Sequence, residues 1–279
     1  MALAEDAPTR IRLFAPCLAS TFRPTVVEAA RRVLEHLGLD VALVQGVTCC
    51  GQPAFNAGLW DEARRLAQKT IAALEAQPGP VVVPAGSCAA MMRKHYLTLF
   101  ADDPAWLSRA QALSERVFEF SEFLVRVLGQ TRLPQAVWPG RVTYHASCHL
   151  RRELGVDAEP KALLDGVEAV QRVPLPEEDV CCGFGGVFSS QHPDIAMAIG
   201  EHKVHALVQT RAHIAVTADP GCLLHIAGVR RSRGERMGPP IVHLAEFLDA
   251  AIQYGKRQTT RAGVRPEAEP SATNTKQKT

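Results

Sequence analysis

The feature that most constrains this chain is an internal duplication with a period of about half its length. IRLFAPCLAS (11–20) matches RVTYHASCHL (141–150), which sets Cys148 where Cys17 stands. VTCCGQPAFNAG (47–58) matches DVCCGFGGVFSS (179–190), and VVVPAGSCAAM (81–91) matches IAVTADPGCLLHI (214–226). FEFSEFLVRVL (118–128) matches VHLAEFLDAAI (242–252). The four blocks keep their order, so whatever one half folds into, the other must fold into as well.

Short apolar, β-branched runs predict buried strands at 11–15, 41–44, 80–84 and 116–120, and again at 141–145, 168–173, 213–217 and 240–243. Helical patterns lie between them. Residues 24–37 open on a proline and stop before Gly38. Residues 59–76 put Leu59, Ala63, Leu66, Ala67, Thr70, Ile71 and Leu74 on one face, and 193–209 has the corresponding place in the second half. Further helices are expected near 88–100 and 221–229, with 121–129 and 244–254 closing the halves. Alternating strand and helix argues for α/β architecture: two halves related by a pseudo-two-fold, each a mostly parallel sheet with crossover helices. The expected division is an N-terminal extension (1–10), a first repeat (11–135), a second repeat (136–255) and a disordered C-terminal tail (256–279) that has one valine and no other large apolar residue.

At 279 residues, 47% hydrophobic and 22% charged, the chain can build a core without disulfides. A net charge of +2 gives no reason to expect a nucleic-acid or membrane-surface partner. The opening MALAEDAPTRIRLF has early acids and no apolar core, unlike a secretory signal, and no window reaches the ~20 apolar residues of a membrane span. The expected location is therefore the cytoplasm, where thiols stay reduced.

All eight cysteines belong to the duplication. Cys17, Cys49, Cys50 and Cys88 are spaced C-x31-CC-x37-C; Cys148, Cys181, Cys182 and Cys222 are spaced C-x32-CC-x39-C. The single cysteines follow predicted strands and the pairs fall in loops near the second strand of each half. In a parallel sheet the carboxyl ends of the strands form the rim where ligands bind, so cysteines distant in sequence can meet there. Gly51 and Gly183 after the pairs, and Gly86 and Gly221 before the last cysteines, allow tight turns or close approach. Four converging thiolates suit an iron–sulfur cluster. Structural zinc and plain thiol chemistry are the other readings, although zinc usually takes close C-x2–4-C knuckles, which are absent, and adjacent side chains suit one tetrahedral ion poorly.

The duplicated C…CCG…C pattern resembles the cysteine-rich CCG domain family, which includes the cysteine-rich subunit of heterodisulfide reductase and the iron–sulfur subunit of glycolate oxidase. CCGQPAFNAG, GSCAAM, SCHL, CCGFGG and GCLLHIAG are most similar to its lactate-utilisation protein A branch, across residues 11–253. The resemblance implies an iron–sulfur electron-transfer subunit of a cytosolic complex oxidising L-lactate to pyruvate. Its partner subunits would include a ferredoxin-like iron–sulfur protein, and the chain would not be a complete enzyme alone. It assigns Cys17, Cys49, Cys50 and Cys88 to one cluster and Cys148, Cys181, Cys182 and Cys222 to the other. The heterodisulfide reductase relatives have a fifth cysteine closing a CxxC after the last one. Here those positions are Met91 and His225. That absence weighs against the noncubane cluster type and a thiol–disulfide oxidoreductase reading, and leaves [4Fe–4S] as the expected cofactor; a zinc-stabilised, non-redox scaffold is the remaining alternative.

Other residues invite sharper and plainer readings. His145, His149 and His225 could ligate, donate to a cluster or simply pack. Arg151 and Arg152 could attract a carboxylate or be solvated charges. GFGG (183–186) does not fit a nucleotide loop and suits backbone held close to a cluster. Met91 and Met92 suit packing better than ligation. No residue is singled out as catalytic.

Overall fold

The computed structural model describes residues 8–233 and 238–263. Among the described residues eight strands form two four-stranded parallel sheets. The first comprises β1 (Arg10–Leu13), β2 (Asp40–Leu43), β3 (Val81–Val83) and β4 (Val117–Glu119), in the order β2-β1-β3-β4. The second comprises β5 (Val137–His145), β6 (Glu168–Arg172), β7 (Ile214–Thr217) and β8 (Ile241–His243), in the order β6-β5-β7-β8. The orders are the same, so the expected α/β duplication is present strand for strand. In each sheet the topological switch lies beside the first strand of the half, where a crevice opens beyond the carboxyl ends.

The elements follow from their sequences. β3 is three valines with no exposed surface, as expected of a central parallel strand covered on both faces. Helix Trp60–Glu75 buries Ala63, Ala67, Thr70, Ile71 and Leu74, one stripe at helical spacing. Leu59, expected on that stripe, caps the helix instead and is 54% exposed. Helix Gly86–Ala90 continues through a π-helical turn, Met91–His95, into Tyr96–Leu99. Short helices at Cys17–Phe22, Gln52–Asn56 and Ala158–Asp165 were not legible, being too brief or too broken by proline to give a period. The last helix, Leu244–Gly263, outruns its expected end at 254, because KRQTTRA contains good helix formers and the next proline is Pro266. Residues 256–263, expected in a tail, are thus helical; the rest of that tail, and residues 1–7 of the expected extension, lie outside the described residues.

The halves pack by reciprocal exchange. The closing helix of the second half, Leu244–Gly263, lies on helix Thr25–His36 of the first, with Arg23 on Glu246 (2.8 Å) and Arg32 on Asp249 (2.7 Å). The corresponding helix of the first half, Phe120–Val127, lies on Ala158–Asp165 of the second, with Arg126 on Glu159 (2.6 Å). Nearer the sheet edges, Gly86–Ala90 packs on His149–Leu154, and Cys17–Phe22 packs on Pro220–Ser232. A largely shared core results: one cluster of buried residues includes Ile11, Val82 and Phe120 with Tyr144, Leu150 and Phe247.

Gly86 sets the closeness of this seam. A Cβ there would stand 1.6 Å from Leu150 Cδ1 and 3.3 Å from the Leu150 backbone nitrogen, and Leu150 has no exposed surface into which to move. Gly86→Ala is therefore expected to destabilise the protein by about 1–3 kcal/mol, the usual cost of overpacking, read as a lower urea midpoint with an unchanged m-value. A midpoint equal to wild type would show that the seam can give.

Candidate metal centre

Each cysteine reaches the seam by the same route in both halves. β1 ends at Leu13 and the chain turns into the helix that starts at Cys17; β5 ends at His145 and the chain turns past Cys148. The pairs Cys49–Cys50 and Cys181–Cys182 occupy the loops after β2 and β6. Cys88 and Cys222 lie in the first turns of the helices that follow β3 and β7. Gly51 and Gly183 take φ of 90° and 92°, left-handed conformations that glycine adopts without strain. That turn brings each glycine N–H back onto the first sulfur of its pair: Gly51 N to Cys49 Sγ is 3.4 Å and Gly183 N to Cys181 Sγ is 3.3 Å.

The thiols converge half by half. Cys17 Sγ is 3.9 Å from Cys49 Sγ, and Cys50 Sγ is 3.3 Å from Cys88 Sγ. Cys182 Sγ is 3.2 Å from Cys222 Sγ, and the Cys148 thiol interacts with Cys181 as Cys17 does with Cys49. All eight are free thiols. The two quartets open onto one cavity of about 390 Å³ at the seam. Cys17, Cys50 and Cys88 line it from one side, and Cys148, Cys181, Cys182 and Cys222 from the other.

Two polar side chains tie its walls together. Asp219 accepts from Gly221 N (2.9 Å), capping the helix that carries Cys222, and from Ser87 N (2.8 Å) in the other half, one residue before Cys88. Gln52 donates to Ser87 O (3.2 Å) and meets His149 Nε2 at 3.1 Å. Neither was singled out from sequence. Asp219 had a signal, an acid directly before Pro220 at the start of a helix; Gln52 had none beyond following CCG.

Crowded thiols cannot all ionise. The hydrogen bond from Cys17, then that from Cys50, hold Cys49 down to about 2, against the opposing effect of burial and with help from the Gly51 N–H. Cys17 is pushed up in turn, first by its hydrogen bond to Cys49 and then by burial. Cys50 is pushed well up by its bonds to Cys49 and Cys88 and by its complete burial. The second half repeats the pattern: Cys181 falls to about 2 through Cys148 and Cys182, while Cys148 and Cys182 rise. Cys49 and Cys181 thus ionise more readily than the neighbouring thiols whose hydrogen bonds they accept. A soft cation is the partner that would let the rest ionise, and four unbridged cysteines per half form a donor set suited to iron–sulfur or another thiophilic metal.

The other candidate residues divide clearly. His149 lines the cavity, with Nδ1 3.7 Å from Cys148 Sγ. His145 is buried within 4.8 Å of both Cys182 and Cys222 sulfurs. His225 does not line the cavity: its Nε2 lies 3.0 Å from Ala196 O and its ring packs beside Phe184. Arg151 is engaged by Asp179 (3.4 Å) and Arg152 donates to Asp179 O (3.0 Å); neither lines the cavity. Met91 and Met92 are core residues. Phe184, Gly185 and Gly186 of the GFGG stretch form part of the cavity wall.

Paired cysteines at the carboxyl edges of a duplicated parallel α/β unit define a cysteine-rich domain protein, and the family model for the CCG cysteine-rich domain matches residues 11–93 and 142–227. The chain belongs to that family, with relatives named lactate utilization protein A. It is 41% identical over 246 residues to the one from Exiguobacterium sp. (strain ATCC BAA-1283 / AT1b), covering 87% of this chain and 98% of the relative. It is 39% identical to the one from Bacillus velezensis over 86% of this chain and 99% of the relative, and 40% identical to the one from Bacillus pumilus over the same shares. Among solved structures, glutamate racemase isoform RacE1 from Bacillus anthracis aligns over 90% of this chain and 82% of its own with 14% identity and a TM-score of 0.36.

Since Cys17, Cys50, Cys148 and Cys182 hold their protons well above neutral pH, a metal that takes them as thiolates must expel protons. Loading is therefore expected to acidify a weakly buffered solution, and apparent affinity should rise with pH through the neutral range. Competition with a chelator at several pH values measures this; a pH-independent affinity would mean that these thiols are not the ligands.

Proposed function

We propose that this chain is an iron–sulfur electron-transfer subunit of a cytosolic complex that oxidises L-lactate to pyruvate. The observation that supports it most is the pairing of two thiol quartets, each complete within its half and both open to one cavity. Cys17, Cys49, Cys50 and Cys88 would hold one cluster, and Cys148, Cys181, Cys182 and Cys222 the other. Four cysteines suit [4Fe–4S], which supplies a one-electron acceptor and donor when bound. The lactate assignment rests on the relatives named lactate utilization protein A, whose lengths this chain spans almost entirely.

What the chain contributes is ligation, shielding and hydrogen bonding. Cys50, Cys88, Cys182 and Cys222 are nearly inaccessible to water, which favours the less charged state of anything they bind. The Gly51 and Gly183 N–H groups lie against Cys49 and Cys181 sulfurs, where they would stabilise thiolate charge. Tyr96 donates to Cys50 O (2.8 Å) and fixes the loop behind the first pair. No helix among the described residues is long and apolar enough to cross a membrane. The positions where a fifth cysteine would stand are withdrawn from the cavity, Met91 in the core and His225 against Ala196, which favours electron transfer over heterodisulfide chemistry at this site. The chemical step on lactate and the onward acceptor, a ferredoxin-like iron–sulfur protein in this reading, belong to partner subunits.

Protein purified without oxygen should carry about four irons and four acid-labile sulfides per quartet. Cys50→Ser and Cys182→Ser should each remove one cluster and leave the other. Zinc at stoichiometric level with no sulfide would end the electron-transfer reading. Cells lacking the chain should fail to grow on L-lactate and recover with the wild-type chain but not with Cys50→Ser; normal growth of the deletion strain would sever the link to lactate.

A further inference from the structure

The two quartets have the same ligands and different surroundings, and the sharpest difference lies three residues before the first cysteine of each. That position is Phe14 in the first half and His145 in the second. Both are buried, 2% and 1% exposed. Phe14 has no polar atoms to satisfy. His145 has two, and neither ring nitrogen finds a hydrogen-bond partner among the described residues. A buried donor left without an acceptor is costly, so an orphan imidazole in a core calls for an explanation. Burial keeps this ring neutral, with its pKa lowered to about 3, chiefly by desolvation and secondarily by Lys203. A neutral imidazole has one N–H donor.

What stands beside it is informative. One ring nitrogen and the sulfurs of Cys182 and Cys222 all lie within 4.8 Å of one another. With the thiols protonated, Cys182 and Cys222 share a hydrogen bond between themselves at 3.2 Å. Once both are thiolates, that bond is gone and each sulfur becomes a strong acceptor next to an unused N–H. Thr217, paired in register with His145 on the neighbouring strand, is also buried with an unpartnered hydroxyl, where the first half has Val83. Nothing comparable faces Cys50 and Cys88 from the position of Phe14.

We infer that His145 is a positioning residue for the second centre only, donating its ring N–H to a ligand sulfur of Cys182 or Cys222 when these are metal-bound thiolates. This rests on the reading that each quartet holds an iron–sulfur cluster. A hydrogen bond to a ligand sulfur stabilises the reduced, more negative state and raises the midpoint potential. The two centres would therefore differ in potential, the second being the better electron acceptor.

The test is an EPR-monitored redox titration of anaerobically reconstituted full-length protein, with iron and sulfide measured on every sample. Wild type should give two midpoints. His145→Phe, which installs the first half's own residue, should lower one midpoint, leave the other in place and keep full iron. His145→Gln, which restores an N–H, should recover part of the shift. Phe14→His should raise the midpoint that His145→Phe leaves unmoved, which keeps the inference testable if His145→Phe folds poorly. Unchanged midpoints in fully loaded His145→Phe and Phe14→His proteins would overturn it while leaving the cluster reading intact. Loss of one cluster's iron in a folded His145→Phe protein would make the residue a ligand and overturn the hydrogen-bond role. Absence of iron and sulfide from wild type would instead defeat the cluster reading itself.

Discussion

The site depends on the seam between the halves. Each half places four thiols at the carboxyl edge of its sheet, but neither edge is closed by its own half. The helix carrying Cys88 is covered by His149–Leu154 of the second half, and the helix carrying Cys222 by Cys17–Phe22 of the first. Gly86 under Leu150 and Asp219 on Ser87 N hold the two edges close enough for one cavity to serve both quartets. The outer helices lock the arrangement with Arg32–Asp249 on one flank and Arg126–Glu159 on the other. Cysteines brought this close in a looser fold would be open to water and oxidant; here half of them are nearly inaccessible.

Burying several thiolates together carries an electrostatic cost, and the fold offsets it locally. Backbone N–H groups of Gly51 and Gly183 face the most acidic sulfurs. Cys222 stands in the first turn of the 13-residue helix Pro220–Ser232, where the helix dipole favours negative charge. The second half adds Lys203, fully buried, its ammonium held by Glu177 O at 2.5 Å. The equivalent position of the first half is Thr70, since Gly51 lies against Ala63 and Leu66 as Gly183 lies against Ala196 and Ile199; it is buried too, but uncharged. Burial pulls the Lys203 pKa down, while the charges of Cys182, Glu177, Asp179 and Cys181 act to keep it a cation.

Much of this was legible in the sequence, for a physical reason. Buried parallel strands are short apolar runs that stand out against polar helices, so all eight strands lay within a few residues of their expected places. Register between the two halves made the cysteines equivalent before the fold did. What stayed hidden depends on contacts between distant segments. Nothing local marks Asp219 as a bridge to Ser87, or says that His225 turns toward Ala196 while His145 faces the sulfurs. Arg151 and Arg152 looked available because Asp179, nearly thirty residues on, was not visible as their partner. Proximity in sequence to Cys148 favoured His149 and His145 equally; the strand end turns His145 inward, and the helical turn after Cys148 sets His149 on the cavity wall.

A duplicated site offers a comparison that single sites lack. Thiol number and the glycine N–H contact are the same in both halves, so neither can make the two quartets differ. Any difference must come from the shell around the thiols. There the halves part at one register position: Phe14 and Val83 in the first correspond to His145 and Thr217 in the second, apolar side chains against buried polar ones. Such exchanges are costly unless something negative lies beside them, since each buried polar group gives up water. Both add a hydrogen-bond donor, and the buried Lys203 adds positive charge to the same half. That is the pattern expected if the second quartet is built to hold more negative charge than the first.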